Sequence, residues 1–204
     1  MGIQDNEKKF VELILYISQR SAHDLYFGAT KLNKILYLSD FRAYGLWGSS
    51  ITGAEYQHLQ QGPAPRRLKP VRSAMEADEV LAIQPVLFSN GKTQHRTVNL
   101  REPDLSLFEA REIALVDSVI DELRNLNATE ASNLTHQFVG WLMTEEGQTI
   151  DYATIFLSAE QLTLAEAKRA RELEGKYSHL VKDTSRPDAN DPAGRRSTAT
   201  TGEA

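Results

Sequence analysis

Cysteine is absent from the 204 residues, which excludes disulfides, thiolate catalysis and cysteine-based metal sites together. No apolar run approaches the roughly 20 residues of a membrane-spanning helix, and the start lacks the basic-then-apolar pattern of a leader. The expectation is a cytoplasmic chain without membrane insertion. Glycine-rich phosphate loops of the Walker or dinucleotide type are missing, and no serine stands in a nucleophile-elbow context. The histidines, His23, His58, His95, His136 and His179, are scattered singly, without H-x-x-x-H or H-E-x-x-H spacing. These gaps argue against an enzyme, and neither a cofactor nor a metal is expected. An excess of positive charge is missing too. The net charge is −5, whereas a nucleic-acid domain carries a basic face, so nucleic acid is not an expected partner.

What is present is enough apolar material for a core: 41% of residues are hydrophobic and 25% charged, ordinary proportions for a globular domain. The pattern centres on Thr30 to Tyr44, which reads as a helix. Leu32, Ile35 and Leu36 recur at i, i+3 and i+4, and Tyr37, Phe41 and Tyr44 widen the apolar face. Only the line Lys31, Lys34, Leu38 and Arg42 reads as solvent-facing, and Leu38 is open to a buried reading as well. A helix this apolar is surrounded by other elements. Thr30 is the expected cap and Gly45 with Gly48 the expected end. Trp47 then falls in a glycine-flanked loop, either tucked under the domain or exposed as an anchor.

Around this helix the chain alternates helical stripes and short strands. Phe10, Leu13, Ile14 and Ile17 mark an amphipathic helix over Glu7 to Gln19, capped by Asp5 or Asn6. Gly62-Pro63-Ala64-Pro65 is a rigid corner, followed by a short helix through Leu68, Val71 and Met75 with Pro70 in its first turn. The cations Arg66, Arg67, Lys69 and Arg72 cluster there, as a solvated face or as a surface for an acidic partner. Val80 to Phe88 and Thr93 to Leu100 flank Asn90-Gly91, a two-residue hairpin signal, with Pro85 marking an edge or a bulge. With the Tyr56 segment they make one antiparallel sheet of about three strands. Ser106 with Glu109 reads as a capping box before the stripe Val116, Val119, Ile120, Leu123, and Thr129 reads as the cap of a short helix at Glu130 to Thr135. A charged helical segment follows, and from Ser185 no apolar residue larger than alanine or proline remains, the composition of disorder. The expected layout is a domain over 1–158, a helical extension over 159–184 and a disordered tail over 185–204. The fold class is α+β, mainly helical around a central buried helix.

The run K-L-N-K-I-L-Y-L-S-D-F, then Ser50-Ile51-Thr52-Gly53, Tyr56 and Gly62-Pro63-x-Pro65, resembles the SocA-like Panacea domain. Ser132-Asn133-Leu134-Thr135-His136, Trp141 and Ile150-Asp151-Tyr152 resemble that family's closing motif, so the likeness spans Phe10 to Leu157. The resemblance implies an antitoxin that binds a cognate bacterial or phage toxin directly. Other readings are an adaptor delivering a partner to a protease or chaperone, and a phage-associated interaction protein. On this reading the expected partner surface is Lys31, Lys34, Leu38 and Arg42 with Trp47, Ile51 and Thr52. The expected scaffold is Asp40, Gly53, Tyr56, Gly62, Pro63, Pro65, His136 and Trp141. Asp40 is an acceptor for a tyrosine or amide, or an anchor for a toxin's basic residue. His136 is an imidazole held to a backbone carbonyl, or a partner or catalytic contact.

Overall fold

In the computed structural model residues 6–88, 91, 93–157 and 168 are described. The chain forms two compact units, Met1–Ala159 and Glu160–Ala204. The fold below is that of the first. The charged helical segment and the tail expected from Ser185 fall outside the described residues, apart from Lys168.

Helix α1 (Glu7–Arg20) starts where the Asn6 side chain accepts the Lys9 backbone N–H at 3.1 Å, and it buries Phe10, Leu13, Ile14 and Ile17. Helix α2 (Ala29–Trp47) is longer than its stripe implied. Gly28 is its N-cap, which puts Thr30 inside the first turn, and the helix runs through Gly45 to a left-handed Gly48 at φ +71°. Gly45 stays helical for a packing reason: a Cβ there would sit 3.3 Å from Ile155 Cγ1. Trp47 is therefore the last residue of α2, half-buried, with the Arg111 guanidinium 4.7 Å from its ring centroid.

The expected single sheet is two. β1 (Tyr56–Gln57) pairs antiparallel with β2 (Ala64–Pro65) and β5 (Thr149–Ile150), in the order β2-β1-β5. β3 (Leu81–Leu87) and β4 (Thr93–Asn99) form a separate two-stranded sheet, in register from Leu81↔Asn99 to Leu87↔Thr93. That register leaves 88–92 as the connection, longer than the Asn90-Gly91 turn. Pro85 lies opposite His95 with no break in register, as an edge strand permits. Between the sheets, α3 (Leu68–Ala77) holds Pro70 in its first turn.

Two caps differ from the expectation. The box before α4 (Ala110–Leu123) is Glu109 with Glu112, while Ser106 lies in a 3-10 turn, Leu105–Leu107, capped by Asp104. Asn127, boxed with Glu130, caps α5 (Ala128–Thr135) in place of Thr129. Each time a longer carboxylate or amide two or three residues away reaches the free N–H groups first. A short α6 (Val139–Leu142), β5 and a 3-10 turn, Tyr152–Phe156, complete the described chain. Helix α2 lies in the middle, packed by α1, α4, α5, β2 and the Tyr152 turn. The architecture is α+β and mainly helical, around one buried helix.

Candidate functional site

Because α2 is covered over most of its length, three charged residues go into the interior with it: Lys31, Lys34 and Asp40, each at most 1% exposed. Buried charge must find partners in the chain. Each does so differently, and two of the three solutions reach the motifs singled out in the sequence.

Asp40 is the hub. Its Oδ1 accepts the N–H groups of Ile51 and Thr52 at 2.9 and 2.8 Å, and its Oδ2 accepts the hydroxyls of Thr52 at 2.5 Å and Tyr56 at 2.8 Å. The Tyr152 hydroxyl lies 3.5 Å from the same oxygen and donates to Ala54 O at 2.7 Å. One carboxylate thus fastens the 51–56 segment and the Tyr152 turn to the middle of α2. Burial raises its pKa, while the donors around it favour the charged form and pull it back. Gly53 at φ +71° lets the chain turn back within this wrap. The rings of Tyr37, Phe41, Tyr56 and Tyr152 pack together above it, with Phe41 stacked on Tyr152 at 4.5 Å.

Lys34 builds the second centre. Its Nζ donates to Pro63 O at 3.0 Å, and among the described residues no carboxylate pairs with it. Burial alone brings its pKa down to about 7. Gly62, at φ +91°, passes so close that a Cβ would lie 2.7 Å from both Lys34 Nζ and Thr135 Oγ1. Beyond it, Trp141 lies between two imidazoles, His136 at 4.0 Å and His58 at 4.3 Å, each tilted by 17°. The indole N–H donates to Leu59 O at 3.2 Å. Among the described residues the His136 ring makes no hydrogen bond to a carbonyl, and its Nε2 is buried without a partner there. The carbonyl contact belongs to His58, whose Nδ1 lies 3.1 Å from Trp141 O. Burial, then the charges of Lys34 and His58, lower the His136 pKa. This centre joins the first helix motif, the Gly-Pro-x-Pro corner and the closing motif; the sequence had named Thr135 only as part of that closing run and His58 only as one of the scattered histidines.

The expected partner surface is not a surface. Lys31 is 1% exposed and donates to Asp24 at 2.5 Å and to Arg124 O at 2.9 Å. Lys34, Leu38, Ile51 and Thr52 are buried as well. The line taken as solvent-facing runs under α4 and α5, which cover it. Arg42 and Trp47 alone of the seven reach solvent, and Arg42 makes a two-pronged pair with Glu122, 2.5 and 2.9 Å. Arg72 is also misread as solvated: it is on the inward face of α3, 8% exposed. Pro63 and Pro65 are buried at the corner.

A cleft of about 470 Å³ opens at the other end of α2, between Gly28 and Thr30, the hairpin residues Gln94 and His95, and Asn127 and Thr129 of α5. Among the described residues no group of three or more His, Asp or Glu could hold a metal, and no helix is long and apolar enough to cross a membrane.

The comparison with known families covers most of these stretches. The model of the antitoxin SocA-like, Panacea domain family matches residues 32–142, more than half of the chain. The chain belongs to this Panacea family. Its matched region runs from the second residue of the K-L-N-K stretch to the end of α6, and takes in both buried centres except for Tyr152. No curated protein and no solved structure matches the chain.

Proposed function

We propose that this Panacea domain is an antitoxin that neutralises a cognate toxin by binding it, without turnover and without a cofactor. Membership of an antitoxin family carries the reading. The use of the motif side chains supports it. Lys31, Lys34, Asp40, Thr52 and Tyr56 are all committed to contacts within the chain, and none is presented to a substrate. The motifs build a rigid scaffold, and the partner is met by the surface laid over it. The binding event takes place in the cytoplasm, where a toxin acting on the cell that makes it would be found.

Titrated co-expression with the protein of the adjacent reading frame tests this. Growth should be rescued only when antitoxin equals or exceeds toxin, and the two should purify together. Rescue at far below one antitoxin per toxin would replace occupancy by catalysis or by delivery to a protease. Rescue with no complex would remove direct binding.

A further inference from the structure

Helix α3 turns Leu68, Val71, Arg72 and Met75 inward, and one of the four is charged. Arg72 keeps only 8% of its surface in solvent, and its Nε and Nη2 are buried with no hydrogen-bond partner. Those two nitrogens form one edge of the guanidinium, the edge that takes a carboxylate side-on through two parallel bonds. Among the described residues nothing fills it. Glu76, one turn further on, acts on Arg72 only through its charge, and its Oε1 accepts the Ile83 N–H at 3.2 Å. The other cations of the stretch are placed differently. Arg66 is held by Glu55, Gln57, Gly147 O and Thr149, Arg67 pairs with Glu7, and Lys69 lies in solvent.

A buried guanidinium with an empty edge weakens the fold that carries it, since burial removes its hydration and returns no bond. Burial accordingly lowers its pKa. Such a breach of local rules is expected at functional or strained sites. The surroundings define the group that the empty edge takes. The first turn of α3 has no acidic residue and no side-chain cap, so the helix dipole adds positive potential there. Arg67 and Lys69 stand beside it. Arg66 and Arg67 are answered by Glu55 and Glu7, which leaves Lys69 and the buried Arg72 as the cations of this end without a carboxylate among the described residues, and their charge is complementary to one.

We propose that Arg72 anchors the partner protein: a carboxylate side chain of the toxin enters beside the first turn of α3 and closes the empty guanidinium edge with two charge-assisted hydrogen bonds. This rests on the antitoxin reading for the identity of the partner. A free oxyanion offers the same chemistry, and the experiment separates the two.

Arg72→Met keeps the apolar stem and removes the charge. In the free protein its melting temperature should equal or exceed the wild type's; a fall of several degrees would reveal an internal partner and overturn the anchor. Calorimetric binding to the adjacent-frame protein should weaken on the order of thirtyfold or more in Arg72→Met, with Arg72→Lys, which lacks the fork, in between. Undiminished affinity in Arg72→Met overturns the anchor and leaves the antitoxin reading standing. A wild-type chain that does not bind overturns that reading, and the anchor with it. Sulfate at constant ionic strength is the remaining probe. If it stabilises the wild type and not Arg72→Met, while both bind the toxin equally, the edge belongs to a free anion and the partner role is overturned.

Discussion

The Lys34 ammonium donates to the Pro63 carbonyl at 3.0 Å from a position only 1% exposed, a cation spent on holding a proline corner against a helix. Its protonation should therefore show in stability. In the folded chain it loses its proton near pH 7, against an ordinary value of 10.5. Between those values the unfolded chain binds the extra proton, so stability rises with pH across the window and is lost as pH falls toward 7. We expect a slope of up to about 1.4 kcal/mol per pH unit between pH 7 and 9.5 in urea unfolding, below the range where Tyr16, pushed up to about 12, titrates. Lys34→Met should flatten the profile. An equal slope in the variant would mean that another group carries it.

Asp40→Ala should be among the most damaging single changes, because it strands the Ile51 and Thr52 N–H groups and the Thr52 and Tyr56 hydroxyls in the interior. Each buried orphan costs about 1–3 kcal/mol, so a loss of about 4 kcal/mol or more is expected from denaturant unfolding. Tyr56→Phe removes one donor from an acceptor that keeps the others, and should cost about 1 kcal/mol. Similar losses in the two variants would show that Asp40 is not the hub.

Gly62 and Gly48 share a left-handed backbone, at φ +91° and +71°, but differ in their surroundings. A Cβ at Gly48 meets nothing within 4 Å, whereas one at Gly62 meets Lys34 Nζ and Thr135 Oγ1 at 2.7 Å. Gly48→Ala should cost about 1–2 kcal/mol for the backbone alone. Gly62→Ala adds a clash and should lose clearly more. Equal losses would mean that the Lys34 centre yields easily.

Charge reversal should separate two residues that the sequence placed on one line. Arg42→Glu, at the half-exposed pair with Glu122, should lose no more than about 1 kcal/mol. Lys34→Glu puts an unpaired carboxylate into the core and should lose about 3 kcal/mol or more. Two folded variants of equal stability would return Lys34 to the surface.

Periodicity made α1, α2 and α4 legible, because an apolar stripe needs only its own sequence to be seen. The Lys31–Arg42 line was misread for the converse reason. Charge is the ordinary mark of a solvated face, and only distant groups, Asp24, Pro63 and Arg124, reveal that these lysines are answered inside. The split of the sheet was hidden likewise: β5 has two residues and no strand signature of its own, and it exists because β1 offers it an edge. Asp40, mid-helix between apolar faces, was the visible sign of a buried acceptor. The tyrosine and amide classes of its partners were visible; the Thr52 hydroxyl and the identity of each partner were not.

Tyr152 reaches the hub from 112 residues beyond Asp40, and β5 closes the β1 edge just before it. At about 5–20 residues per second of synthesis, Asp40 waits roughly 6–22 s for Tyr152. A nascent chain cut short ahead of Thr149 has α2 in full, yet leaves one edge of β1 open and the aromatic cluster without its final ring. Closure of the Asp40 hub is thus timed by translation of the Tyr152 turn, and until then a newly made molecule leaves the β1 edge open to proteases.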